Sequence, residues 1–300
     1  MTSAVEGTGR RAGPAESFMV TELCHGARRE RPDQVVGEEP LEIRVSGPGG
    51  APEPVAITMR TPGHDFELAV GFLLSEGVLH RGQPVRAVKY CELPDGDPQQ
   101  YNVVTVVAAH PVDLEKRRRA VTVSASCGLC GTTTIDALAD RCPPIPGGGA
   151  VDSDLLMSLP GRLRQHQRIF ERTGGLHAAG LYTADGRMLA VREDVGRHNA
   201  VDKLVGWASL QHRLPLADAV LVVSGRVSFE IVQKAAVAGV PVLAAVSAPS
   251  SLAVATARSL GMTLAGFVRD GRANVYAAPW RVVQAGSGRS SADPGRERAP

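Results

Sequence analysis

Apolar and polar side chains alternate along residues 41–45 (Leu-Glu-Ile-Arg-Val) and again along 55–59 (Val-Ala-Ile-Thr-Met). A period of two turns every second side chain to one face, so both stretches read as half-buried strands. The Gly- and Pro-rich residues 46–51 between them predict a hairpin. The period then changes. Phe66, Ala69, Val70 and Leu73 recur at helical spacing, which predicts a helix with a core-facing stripe and Gly77 as its stop. His64 and Asp65 stand just before that stripe, where they either cap the helix or face a site. Residues 85–90 and 101–107 read as further strands on either side of a loop over 94–98. The whole of 17–115 is expected to be a small α+β domain.

The pattern changes character beyond residue 115. Leu155, Leu156, Leu159, Leu163 and Phe170 mark helical segments, with Pro160 as a candidate break between them. Residues 178–183 and 187–191 flank Asp185-Gly186, a hairpin signal. Val201, Leu204, Val205 and Ala208 are helically spaced, so residues 194–198 lie in the turn entering a helix. Then come a strand over 220–223, a helix over 229–238, a strand over 240–246, a helix over 252–260 and a strand over 262–268. Alternation of this kind predicts parallel strands joined by right-handed crossovers. An α/β domain is therefore expected over 116–285. Residues 1–16 and 286–300, rich in Gly, Ser, Arg and Pro, read as disordered tails.

Candidate chemistry concentrates at residues 121–131, where a β-branched run leads into Cys127-Gly128-Leu129-Cys130-Gly131. The flanking glycines allow a sharp turn that exposes sulfur. A helix start near Ile135 would lower the pKa of a thiol in front of it. Four readings compete at this point. A structural zinc site needs about four ligands, and no second Cys-x-x-Cys is present. A thioredoxin-like dithiol, a loop with two inert thiols and a sulfur-carrying nucleophile are the others. Zinc deaminase chemistry would need His-x-Glu upstream of Pro-Cys-x-x-Cys. Here Ser126 precedes Cys127.

Ligands of open parallel sheets sit beyond the carboxyl ends of the strands. Those ends read Ser224-Gly225-Arg226, Ser247 to Ser251, and Arg269-Asp270-Gly271-Arg272. Each offers hydroxyl, backbone N–H or guanidinium groups, and together they predict an anion site with phosphate as the obvious ligand. His177 and His198 lie in Gly-rich turns beside Glu193 and Asp194, so acid–base or ligand contacts compete with a structural role. No dinucleotide fingerprint and no P-loop is present.

Composition narrows the picture further. A hydrophobic content of 43% over 300 residues suits a globular protein with a sizeable core. No apolar run of about 18 residues predicts a membrane span, and the first residues do not read as a secretory signal. Five unevenly spaced cysteines argue against a disulfide framework and for a reducing cytoplasm. A net charge of +2 and 4% aromatics do not point to nucleic acid. The basic run over 116–119 is a solvated face or a landing patch for an acidic partner.

The segments 124–131, 173–177 (Thr-Gly-Gly-Leu-His), 193–203 (Glu-Asp-Val-Gly-Arg-His-Asn-Ala-Val-Asp-Lys) and 266–272 (Gly-Phe-Val-Arg-Asp-Gly-Arg), with 60–65 and 71–77 upstream, together resemble the FdhD/NarQ family of formate dehydrogenase accessory sulfurtransferases. The resemblance covers roughly residues 18 to 280. It implies an α/β fold with a cytidine deaminase-like larger C-terminal domain that lacks that family's zinc ligands, beside a smaller N-terminal α+β domain. It implies a cytoplasmic protein that takes sulfur from a cysteine desulfurase as a persulfide. That sulfur is passed to the molybdenum (or tungsten) bis(molybdopterin guanine dinucleotide) cofactor, bound as substrate, for the formate dehydrogenase catalytic subunit. Cys127 matches the family's persulfide cysteine, with Cys130 beside it. Phe267, Val268, Arg269, Asp270, Gly271 and Arg272 match its cofactor-binding segment. Ser224, Gly225, Arg226, Ser247, His177 and His198 are the further cofactor-binding candidates. A homodimer is expected, because the cofactor carries two similar arms and two-fold dimers are the commonest oligomers. No permanent metal, nucleic acid or membrane is expected. A non-catalytic delivery chaperone and a zinc-binding regulatory module are the rival readings.

Overall fold

The computed structural model describes residues 13–91, 99–112, 138, 142, 145 and 149–284. The first half starts with a hairpin, β1 (Ala15–Cys24) and β2 (Ala27–Val36), turned through His25 and Gly26 at positive φ. β1 begins inside the span read as a tail, and no element was expected over residues 17–36. The cause is visible in its exposure: Phe18, Met19 and Leu23 face solvent, so the strands carry no core-facing alternation. A four-stranded sheet follows, ordered β4 (Glu53–Arg60), β3 (Glu39–Ser46), β6 (Val103–Ala108), β5 (Val85–Tyr90), with β3 and β6 parallel and the other pairs antiparallel. Its cover is α1 (Asp65–Ser75), which ends at Gly77 with φ 75°.

The second half is a six-stranded mixed sheet ordered β13-β12-β11-β10-β8-β9. The members are β8 (His177–Thr183), β9 (Met188–Asp194), β10 (Ala219–Val223), β11 (Val242–Ala245), β12 (Thr263–Arg269) and β13 (Arg272–Ala277). Only β10, β11 and β12 are mutually parallel. The hairpins β8–β9 and β12–β13 are antiparallel, as is the β8–β10 pair. Two helices, α2 (Ser153–Gln165) and α3 (Arg168–Thr173), come before β8. Helix α4 (Arg197–Leu210) follows β9, α5 (Phe229–Ala238) follows β10 and α6 (Ser251–Ser259) follows β11. A short parallel pair, β7 (Val151–Asp152) with β14 (Val282–Val283), closes the end of the fold. The boundary expected between residues 115 and 116 lies outside the described residues.

Alternation along the central strands splits the core in two. Leu221, Val223, Leu243, Ala245 and Leu264 join one cluster with α1, α4, α5 and α6. Val220, Val222, Val242, Ala244 and Ala265 join a second cluster with Leu156, Leu159 and Leu163 of α2. Both faces of these strands are covered, which is why they read as continuous apolar runs rather than alternating ones. Pro160 does not break α2. It lies inside the helix, and the burial of Leu156, Leu159 and Leu163, each at 1% exposure or less, holds the turns on either side. Each such side chain contributes roughly 1.5–3 kcal/mol on burial, together more than the ~3 kcal/mol an interior proline costs.

The halves are joined where α1 crosses α4 backbone to backbone. A Cβ placed on Gly71 would lie 1.8 Å from the carbonyl oxygen of Asp202, and one on Gly206 would lie 1.8 Å from that of Glu67. Neither obstacle is a movable side chain. Gly206→Ala is expected to destabilise the protein by at least the ~1–3 kcal/mol typical of overpacking, measured by urea unfolding. An exposed control, Gly161→Ala, meets nothing within 4 Å and should not destabilise.

Candidate functional site

Three loops leave the carboxyl ends of the parallel strands side by side. The loop after β10 is zipped to the loop after β11 by Val227 N–H donating to Ala248 O (3.1 Å) and Ser250 N–H donating to Val227 O (2.9 Å). Phe267 N–H donates to Ser247 O at 3.2 Å, so the end of β12 joins the same edge. Because β8 runs antiparallel to β10, its first residue, His177, arrives there too. Ser224, Gly225, Arg226, Ser247, His177 and Phe267 are therefore neighbours on one sheet edge.

Their roles differ in detail. Ser224 Oγ accepts from Ala178 N–H at 2.9 Å, and Ser224 N–H donates to Ala178 O at 3.0 Å. That hydroxyl clasps two strands as well as facing outward. Gly225 has His177 and Arg197 on its flank: a Cβ there would lie 3.2 Å from His177 Nδ1 and 3.7 Å from Arg197 Cδ. Arg226 is exposed. His198 sits in the first turn of α4, its Nε2 3.1 Å from Ser228 Oγ at the start of α5. Phe267 has φ 52°, a left-handed backbone uncommon for a bulky residue and associated with functional sites. Val268 is fully buried in the second core cluster, so its side chain packs rather than faces the edge.

Residues 269–272 differ from the sequence reading. Asp270 (φ 53°) and Gly271 (φ 69°) form the two-residue turn of the β12–β13 hairpin, with Arg269 paired to Arg272. Two positive φ values are what a type I′ turn requires, and Asp-Gly is its preferred sequence. The strand end expected at 268 is thus a hairpin tip, with Arg269 and Asp270 side chains 49% and 82% exposed and 3.9 Å apart. Cys127 and Cys130 lie outside the described residues. Among the described residues no group of His, Cys, Asp and Glu is arranged to hold a metal ion.

The carboxylates beside the histidines are held by structural partners. Glu193 accepts from Ile169 N–H (3.1 Å) and Phe170 N–H (2.8 Å), capping α3. Asp194, fully buried, pairs with Lys203 Nζ at 2.7 Å and accepts from Thr61 N–H, Gly196 N–H and Asn199 Nδ2. Lys203, 1% exposed, also donates to Thr61 O at 3.0 Å. Asp65 plays the matching part upstream. It accepts from Arg60, Gly63 N–H and Tyr90 Oη, and it is buried rather than facing a site. His64 is the α1 N-cap with φ 56°, makes no side-chain cap bond, and has its Nδ1 3.3 Å from Glu67.

Sequence reading did not single out Arg197. It opens α4, where a cation opposes the positive end of the helix dipole. Two cationic-capable residues, Arg197 and His198, at a helix start are the signal that was legible. Burial, the Arg197 guanidinium and Arg226 push the His177 pKa below its ordinary 6.5. Burial, Arg197 and Lys234 do the same to His198, against Glu230. A second missed feature is a cavity of about 600 Å³ between α2, α3 and the sheet edge. His177, Ser224 and Val246 form one wall and Leu163, Gln167 and Phe170 the other.

Fold and edge together define a mixed α/β protein with a cation-rich edge at its parallel strand ends. Comparison with known proteins gives the family. The model of the FdhD/NarQ family matches residues 36–283, and the chain belongs to that family. It is similar to the sulfur carrier protein FdhD of Streptomyces avermitilis (52% identity over 279 residues, 89% of this chain and 95% of the relative). It is equally similar to that of Streptomyces coelicolor (53% over 280 residues, 89% and 95%). The Mycobacterium tuberculosis protein of the same name is 51% identical over 262 residues, 84% of this chain and 93% of the relative. A crystal structure from Desulfotalea psychrophila, described as a candidate formate dehydrogenase accessory protein, has the same fold. It has a TM-score of 0.69 at 24% identity over 90% of this chain and 99% of that one.

Two outcomes follow. Asp194→Ala leaves a buried Lys203 ammonium without its carboxylate and should cost about 3–5 kcal/mol in urea unfolding. The proton NMR titration of His177 should have its midpoint below 6.5, moving up in Arg226→Ala as one repelling charge is removed. The unfolded chain then takes up the His177 proton before the native state does. Stability should therefore fall as pH drops through 6.5 and level off below the native midpoint. A midpoint at or above 6.5 would contradict this electrostatic picture.

Proposed function

We propose that this chain is a sulfur-transfer protein of formate dehydrogenase maturation. The observation that carries the reading is about half identity, over nearly nine-tenths of the chain, to proteins named sulfur carrier protein FdhD, with the Cys127-x-x-Cys130 motif inside the matched span. The donor is a cysteine desulfurase and the acceptor is a molybdenum (or tungsten) cofactor with two guanine dinucleotide arms. The setting is the cytoplasm, and the working form is a homodimer that gives each arm one copy of the edge. The cytidine deaminase-like description of the larger part belongs to the same proposal.

The chemistry balances as follows. The Cys127 thiolate attacks the outer sulfur of the donor persulfide; the donor S–S bond breaks and the donor cysteine leaves as thiolate. Cys127 then carries the sulfur as a persulfide. Attack of the Cys130 thiolate on Cys127 Sγ would release that sulfur as sulfide to the metal and leave a Cys127–Cys130 disulfide, which an external dithiol must reduce. The edge of His177, Arg226, Arg197 and the three loops supports the binding half of the reading, because guanidinium and free N–H groups suit phosphates.

Incubation with a desulfurase and cysteine should add one sulfur to the wild-type protein by mass spectrometry. Cys127→Ala should lose that sulfur and formate dehydrogenase activation, whereas Cys130→Ala should keep the sulfur and show lowered activation. Full activation by Cys127→Ala would reject Cys127 as the carrier.

A further inference from the structure

The hairpin of β1 and β2 is a sheet of its own, paired in unbroken register from Ala15 with Val36 to Cys24 with Ala27. A two-stranded ribbon is marginally stable by itself in water. This one leaves Phe18, Met19, Leu23 and Val35 between 42% and 73% exposed. β2 turns toward the body: Arg172 donates to Gln34 Oε1 at 3.1 Å, and a Cβ on Gly175 would lie 3.1 Å from Val36 Cγ1. Across one face of the ribbon Glu22 accepts from Arg29 (2.6 Å) and Arg31 (2.9 Å), and Arg31 also donates to Asp33 (2.9 Å). Those charges close on each other.

The two outer edges of the ribbon differ. Cys24 and Ala27 flank a two-residue turn, so they form a backbone hydrogen-bonded pair, and every second pair along the ribbon does the same. The backbone groups of Ser17, Met19, Thr21 and Leu23 therefore point away from β2. On the other side those of Arg28, Glu30, Pro32 and Gln34 point away from β1. Pro32 has no N–H, and Arg28 and Glu30 set charges along its edge. Proline and charge are the devices by which an edge resists pairing. The outward positions of β1 carry neither. Among the described residues β1 pairs with no strand but β2.

We infer that the outer edge of β1 pairs antiparallel with β1 of a second copy about a two-fold axis, joining the two hairpins into one four-stranded sheet. The inference rests on the homodimer of the proposed function and names the surface that makes it. Charge selects the register. Antiparallel pairing sets outward-pointing residues opposite one another, so the axis falls on a residue rather than between two. With the axis at Met19, Glu16 would face Glu22 of the second copy, and like charges directly opposite are destabilising. With the axis at Val20, Glu22 faces Phe18, Glu16 faces Cys24 and Met19 faces Thr21, so no like charges are opposed. Val20 then faces Val20 of the second copy in a pair without mutual backbone bonds, with Cα atoms about 4.5 Å apart.

The test joins sedimentation of the full chain with cross-linking. Thr21→Pro removes an outward N–H of β1 and none of its bonds to β2. It should raise the dimer dissociation constant about tenfold or more without moving the thermal midpoint of the monomer at low concentration. Should Thr21→Pro lose the hairpin, cysteines placed in a Cys24→Ser background test the same edge, since Cys24 is exposed. Val20→Cys should give a disulfide between two copies under mild oxidation, located at residue 20 by mass spectrometry, because the spacing lies within disulfide reach. Glu16→Cys, about 27 Å from its counterpart in this register, should not. A wild-type dimer in which Val20→Cys fails to cross-link, or Glu16→Cys cross-links as readily, overturns the pairing and leaves the homodimer standing. Thr21→Pro that dimerises as wild type does the same. Wild-type protein that stays monomeric at micromolar concentration overturns the inference and the homodimer together, and leaves sulfur transfer untouched.

Discussion

The buried pair of Asp194 and Lys203 holds the parts of this protein in register. Asp194 ends β9, Lys203 lies two turns into α4, and both reach across to Thr61 in the first half of the chain. A carboxylate and an ammonium shielded from water are tolerated only when their remaining lone pairs and protons are satisfied. Here backbone N–H groups of Thr61 and Gly196, the Asn199 amide and two backbone carbonyls do so. The geometry allows little slack, so the turn over 194–196 is fixed, and with it the direction in which Arg197 and His198 leave the start of α4. Arg197 brings a guanidinium to the sheet edge beside His177. The Asp194–Lys203 pair thus decides how the start of α4 meets the sheet edge.

The crossing of α1 over α4 works toward the same end. Backbone contact at Gly71 and Gly206 brings the first half close enough for Thr61 to reach Asp194 and for Ser75 Oγ to donate to Asp202 at 2.7 Å. Lys234 of α5 closes on Asp202 from the other side at 2.8 Å. Burial raises the Asp202 pKa, against the pull of Lys234 and Ser75. The halves therefore share one continuous core cluster.

Much of the second half was legible because its physics is local. Strands over 220–223 and 242–245 are short apolar runs covered on both faces, and the helices between them have matching apolar periods. The helix over 229–238 was read with the bounds the structure has. The structure differed from the sequence reading of secondary structure where a local signal admits two meanings. Asp270-Gly271 follows a strand read as ending in a loop, and only the pairing of Arg269 with Arg272 shows that a second strand turns back there. Pro160 breaks an isolated helix, but burial of the leucines around it outweighs that cost. The β1–β2 hairpin was not foreseen because its apolar side chains stay exposed and give no one-sided alternation.

What the sequence determined by itself is chemistry and period: two cysteines bracketed by glycines, strand-end serines and arginines, two histidines, and alternating α and β elements in order. These follow from side-chain identity and near-neighbour spacing, which need no contact over long distance. The tertiary structure alone decided which of these groups meet. It placed Glu193 in a helix cap and Asp194 in an ion pair. It brought Arg197 next to His177 across Gly225, and it left Arg197 Nε buried without a partner among the described residues. Each of those outcomes depends on elements distant in sequence packing at van der Waals range, and on the desolvation that follows, which no local pattern encodes.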